Sequence, residues 1–273
     1  MLQAITLASS HSFYTGRCAT SKNNKLKKIL YFFTAFVAIS CFSQKATISS
    51  SSNGETDQLK KFSFNQNKDL IDSLKVELDQ IYYSDQKLRE LFTPINDSKK
   101  KEILSEFGYT MEDFIREGWG IVEKQDSLNL NKIEEIIGKY GYPGKSLVGE
   151  PTNKSAYYVI QHSEKIEEYF PLIKEAGDRG EIPIRLVAMM QDRLLVNQGK
   201  EQIYGTQIQG MMIYNEESKR EEWFSFLWPV ADPEKVNEYR KEVGLTTLEE
   251  YVESMGLKFK LYTLEEIQEM SIN

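Results

Sequence analysis

Apolar residues recur three and four places apart along most of this chain, the period of helices with one buried face. Between residues 67 and 91 the stripe runs Ile71, Leu74, Leu78, Ile81 and Tyr82, and its continuation lands on Asp85, Leu88 and Arg89. At 100° per residue Asp85 falls in the middle of the stripe and Arg89 about 40° from it. A carboxylate and a guanidinium are thus expected to face the core together. The alternative, an i,i+4 surface ion pair, would place them opposite the stripe. Residues 97 to 118 read as two short helices broken at Gly108. Asn131 with Glu134 reads as the start of a helix carrying Ile133, Ile136, Ile137 and Tyr140 and stopping at Gly141. "GYPGKSLVG" is a turn-rich loop. The next helix groups Tyr158, Val159 and His162, and Pro171 is expected to open a separate short one.

Pro183 begins a helix, "PIRLVAMMQDRLLVNQG", that is apolar nearly all round and therefore central, yet Asp192 and Arg193 interrupt it. Ionised side chains there must be paired or face a polar cavity. After Gly199 the period becomes two, which predicts a hairpin of strands 202–214 and 220–230. The first strand is crowded with polar groups: Gln202, Tyr204 and Thr206 on one side and Gln207 on the other. Asp232 and Pro233 start a helix whose buried stripe includes Arg240. Thr247 with Glu250 caps another, "LKFKLYT" alternates as a strand, and Thr263 with Glu266 caps the last helix. The expected fold is mainly α, about seven helices with a β-hairpin or small antiparallel sheet packed on them, in one globular domain over 67–273.

The N-terminus changes the picture of location. "KNNKLKK" followed by "ILYFFTAFVAI" has the charged-then-apolar order of a secretory signal, and the run is short for a membrane span. Residues 1–44 are read as an N-terminal extension and signal peptide, with a signal anchor as the alternative, and residues 45–66 as a Ser-rich tether. "AISC" ending at Cys41 resembles a bacterial lipobox, which would make Cys41 a lipidated membrane tether; cleavage near Ser43 or Gln44 is the other reading. The product would be periplasmic, lipid-anchored or secreted. Removing residues 1–44 takes five of the 34 basic residues and none of the 41 acidic ones, leaving a balance of −12. Nucleic acid is not an expected partner of so acidic a chain.

Rare residues narrow the chemistry. Cys18 and Cys41 both fall in the removed or tethering part, so disulfides, thiol nucleophiles and Cys-ligated zinc are not expected in the domain. His162 is its single histidine, which excludes a multi-histidine metal site within one chain. No metal site and no cofactor are predicted.

"DRLLVNQGKEQIYGTQ" at 192–207, with "KYGYPGKSLVGE", "AYYVIQHSE" and "EYRKEVGLTTLEEY", resembles a bacterial family of unknown function, domain number six-six-two-four, over about residues 68 to 255. The family pattern includes "DQxxR", here Asp85, Gln86 and Arg89, then "GWP", "QH", "DR", "QxYGTQ" and "RxxxGL". Tyr142 stands where the family has tryptophan, and residues 92–125 look longer or more divergent. The resemblance groups these motifs and implies no reaction.

Charged residues on core-facing stripes of three helices, plus an amide-rich segment, are expected to converge on one polar pocket. Arg89, Arg193 and Arg240 would suit a carboxylate or phosphate, so the predicted partner is a small polar or anionic ligand. As an enzyme, a hydrolase or transferase, the domain would use His162 as general base, oriented by Asp192 or Asp85. Gln207 or Tyr204 would donate to developing negative charge, and Gln202 and Thr206 would help line the site. The alternatives are a binding module using the same groups and a structural or interaction domain whose buried ions only fix the fold.

Overall fold

The computed structural model describes the chain from residue 56 to residue 272. The signal-like run, Cys41 and the first part of the Ser-rich segment lie outside these residues. Helix α1 (Thr56–Lys87) starts well before the predicted residue 67 and passes into a 3-10 turn, Leu88–Phe92. Its predicted stripe is buried at Leu74, Leu78, Ile81, Asp85 and Leu88, half-buried at Tyr82 and Arg89, and exposed at Ile71. The two short helices around Gly108 are α2 (Asp97–Glu106) and α3 (Met111–Glu117), each held at its start by a side-chain cap, Asn96 and Thr110.

Helix α4 (Gly120–Tyr140) corrects the prediction that a helix starts at Asn131. Its buried face runs Ile121, Val122, Asn129, Ile133 and Ile136, one continuous stripe. Asn131 and Glu134 have capping-box spacing, but Asn131 is exposed and Glu134 binds Lys165 and Tyr169 instead. The turn-rich loop holds one helical turn, α5 (Lys145–Val148), and a second 3-10 turn, Thr152–Lys154. Helix α6 (Ser155–Gln161) ends at His162. Pro171 does not open a helix: it lies inside α7 (Ile166–Asp178). Its side is exposed, where the carbonyl it leaves unbonded meets water, while Ile166, Ile173 and Ala176 bury the other face.

Helix α8 (Ile184–Asn197) is central, as its composition predicts. The hairpin is β1 (Ile208–Asn215) and β2 (Arg220–Leu227), antiparallel, in register from Ile208 opposite Leu227 to Asn215 opposite Arg220. Residues 202–207 are not part of this strand. Three further helices close the chain: α9 (Val236–Glu242), α10 (Leu248–Ser254) with its predicted Thr247/Glu250 capping box, and α11 (Leu264–Ile272). "LKFKLYT" alternates but forms no strand, because no partner edge lies beside it and most of it is exposed. The fold is therefore mainly helical with a two-stranded sheet, and the described residues hold 11 α-helices rather than about seven. None of them is long and apolar enough to cross a membrane.

Apolar burial is divided among four clusters. The largest joins α1, α4, α6, α7 and α8; a second lies under α2, α3 and the 3-10 turn; a third packs the hairpin on α11; a fourth joins β2, α9 and α10. Where the first, second and fourth approach one another they leave a cleft.

Candidate functional site

The cleft has a volume of about 1120 Å³. One wall comes from the end of α1, the 3-10 turn and α4; the other is α8 and the segment entering β1; the link from α6 to α7 lies between them. His162, at the end of α6, is set in this link with its side chain 12 % exposed. Its Nδ1 lies 3.0 Å from Asp85 Oδ1, and Asp85 is fully buried. Gln86 Nε2 donates to the other Asp85 oxygen at 2.5 Å, and Arg89 Nη1 stands 3.4 Å from Oδ1.

A hydrogen on His162 Nδ1 pairs with the acceptor Asp85 Oδ1, which leaves Nε2 as the basic nitrogen. Nε2 lies 3.4 Å from Gln161 Nε2. Burial, opposed by Asp85 and reinforced by Arg89 and Arg193, holds the His162 pKa below its ordinary value. The imidazole is therefore neutral at pH 7, the form a general base requires. Neither hydrogen-bond partner of His162 carries a hydroxyl or thiol that it could activate, so the geometry suits proton removal from water or from a ligand rather than a covalent triad.

Arg89 is held by α4. Its two terminal nitrogens donate to Asp126 at 2.8 to 3.0 Å in a forked pair, its Nη1 also reaches the Asp85 carbonyl at 2.5 Å, and its guanidinium lies 5.9 Å from the Trp119 ring. Burial, against the pull of Arg89, pushes the Asp126 carboxyl up to about 6. Arg193 also lines the cleft, and its charge reaches His162, Tyr157 and Tyr251.

Asp192 has a different task, which corrects its expected role as orienter of His162. Its Oδ1 accepts from the N–H of Ile203 (2.8 Å) and Tyr204 (3.0 Å); its Oδ2 accepts from the N–H and the hydroxyl of Thr206 (3.0 and 2.9 Å). Residues 203–206 wrap around this carboxylate, which is why the amide-rich segment cannot run as a strand. Gly205 makes the wrap feasible at φ +65, and a Cβ there would stand 2.6 Å from Leu248 Cδ1.

On the outside of the wrap, Arg240 donates to the carbonyls of Tyr204 (2.6 Å), Gly205 (3.2 Å) and Thr246 (2.6 Å). The peptide group between Gly205 and Thr206 thus bridges two buried ions, its N–H on Asp192 and its C=O on Arg240. Gln202 completes the knot: its side chain accepts from Gln207 N–H at 2.8 Å and donates to the Gln207 and Trp228 carbonyls at 3.1 and 2.7 Å. Gln202, Tyr204 and Arg240 do not reach the cleft. Arg89, His162, Arg193, Thr206 and Gln207 line it, and Asp85 lies directly behind His162.

The structure also brings in residues that the sequence reading missed. Asp126 sits between Val122 and Asn129 on the buried stripe of α4, the same signal that marked Asp85, but it was hidden by the misplaced helix start. Gln161 was marked only as part of the "QH" pattern and Gln209 only as one of the amides crowding the stretch after Gly199, and Trp119 had no marker. Among the described residues no group of three or more His, Asp or Glu could hold a metal ion.

The family of unknown function DUF6624 matches residues 119–262, more than half of the chain. The chain belongs to this family. The match takes in Trp119, Asp126, His162, Arg193 and Gln207, and it is narrower than the resemblance from about residue 68, since Asp85 and Arg89 precede it. No curated protein and no solved structure matches.

Proposed function

We propose that this DUF6624 domain binds a small polar or anionic ligand in the cleft and acts on it through His162 as general base. Asp85 holds the ring, Nε2 takes the proton, and Arg193 with the amide of Gln161 supplies positive potential for charge that develops on the ligand. The reaction class that this supports is hydrolysis by water activated at Nε2. The observation that carries the reading is the 3.0 Å contact between His162 Nδ1 and a fully buried Asp85 at the cleft wall. A buried carboxylate whose hydrogen bond from another helix comes from a histidine opening onto a cleft is more than packing requires.

His162→Ala would leave an Asp85 oxygen without its donor, so the informative variant is His162→Asn, whose amide replaces Nδ1–H without the base. Anionic and polar metabolites should raise the melting temperature of wild type, and turnover of those that bind should vanish in His162→Asn while folding persists. Absence of any shift across the set, or turnover that survives in His162→Asn, contradicts the proposal.

We further propose that the chain is exported, on the strength of the charged-then-apolar order before Cys41. The mass of the protein from a bacterial host should place the new N-terminus between Cys41 and Lys45, with an added diacylglycerol and acyl mass if Cys41 is lipidated. A full-length cytosolic product contradicts it.

A further inference from the structure

The charges of the cleft and one sealed acceptor narrow the ligand class. Three cationic side chains and four carboxylates line it. A doubly charged phosphate would meet a wall that is on balance acidic, whereas a ligand with at most one negative charge would not. The volume of about 1120 Å³ lies above the ~300 to 1,000 Å³ usual for small-ligand sites. Phe92 and Trp119, edge to face at 4.8 Å, give it an aromatic wall.

Gln209 is the second observation. It lines the cleft, is 6 % exposed, and its Oε1 is buried without a hydrogen-bond partner. Gln207, two residues earlier, is satisfied, its Nε2 donating to the Met189 carbonyl at 3.2 Å and Thr206 Oγ1 at 3.0 Å. A sealed, unpaired acceptor costs the fold stability. A ligand donor that pairs with it relieves that burden.

The molecule contains a pattern for such a pairing. The Gln202 side chain reads both the N–H and the C=O of Gln207, at 2.8 and 3.1 Å, as a primary amide can with any extended residue. We infer that Gln209 does the same for the ligand, and that the cleft takes an amphipathic, amide-bearing molecule of at most one negative charge: an N-acyl amino acid or short peptide. Its apolar group lies on the Phe92 and Trp119 wall, and a turn of the Gln209 amide brings Oε1 onto its N–H. This rests on the cleft being a ligand site and adds the class of ligand.

The test is calorimetric, with N-acetyl-L-phenylalanine and its ester isostere O-acetyl-L-phenyllactate, which differ only by oxygen in place of N–H. Wild type should bind the amide more tightly by about tenfold or more. Gln209→Met, similar in volume, should reduce the preference to within about twofold by weakening the amide alone. Equal affinities in wild type, no binding of the amide at millimolar concentration, tighter binding of pyrophosphate than of either probe, or a preference that survives in Gln209→Met each overturn the inference. If Gln209→Met does not fold, the wild-type comparison decides. Ligands found in the metabolite screen whose turnover depends on His162, together with no amide preference, would overturn the class and leave the reading of the site standing.

Discussion

Asp85 and Asp192 are both fully buried carboxylates on the apolar stripes of long helices, and by burial alone they are equivalent. Their partners separate them. Asp192 is saturated by backbone N–H groups and a hydroxyl from one loop, and of these partners only Thr206, which cannot take up a proton, borders the cleft. Asp85 divides its oxygens between His162 and Gln86, and both of those side chains line the cleft. A buried charge in a sequence therefore marks either a scaffold or a site, and what decides between them is whether it holds a proton-transferring side chain toward open space.

The comparison predicts opposite outcomes for the same isosteric change. Asp192→Asn puts an amide donor against N–H groups that need an acceptor and removes a negative charge whose field favours the buried Arg240 guanidinium. It should cost about 3 to 5 kcal/mol, read as a fall in Tm on the order of 10 °C. Asp85→Asn should cost about 1 to 3 kcal/mol but remove ligand-dependent turnover altogether. Denaturant titration of both variants beside wild type checks this; a larger loss of stability in Asp85→Asn would erase the distinction between scaffold and site.

The smallest expected effect is on pH dependence. With His162 held below its ordinary pKa by burial, the unfolded chain takes up the proton first. Stability from this group is complete above about 6.5 and is lost as pH falls through that value toward the folded pKa. Asp126, pushed up to about 6, acts the other way, its penalty present above that pH and relieved below it. Because Asp126 is common to both proteins, wild type should lose stability relative to His162→Asn between pH 7 and pH 5. A difference between them that is flat in pH would contradict the shift.

The helices were legible because their faces are periodic. Even Asp85 and Arg240, buried where the stripes said, followed from spacing alone. The capping pairs at Thr247 and Thr263 were legible too, since a cap is local chemistry. The failures have a common cause. Asn131/Glu134, Pro171, "LKFKLYT" and the segment 202–207 all carry a local signal that tertiary structure overrides, most clearly in 202–207, where a carboxylate 11 residues earlier draws three N–H groups inward. Arg240 was expected in the pocket because a buried arginine suggests an anion; its partners are carbonyls, which no sequence pattern announces.

Whether Asp85 fixes His162 with its basic Nε2 toward the cleft can be read by imidazole NMR on the ¹⁵N-histidine-labelled protein. The signal lost in His162→Asn identifies the residue. The ring should be neutral at pH 7 with the hydrogen on Nδ1, its pKa below that of a free histidine, and its tautomer should change in Asp85→Asn. A ring protonated on Nε2 in the neutral form, with shifts indifferent to Asp85→Asn, would contradict that expectation.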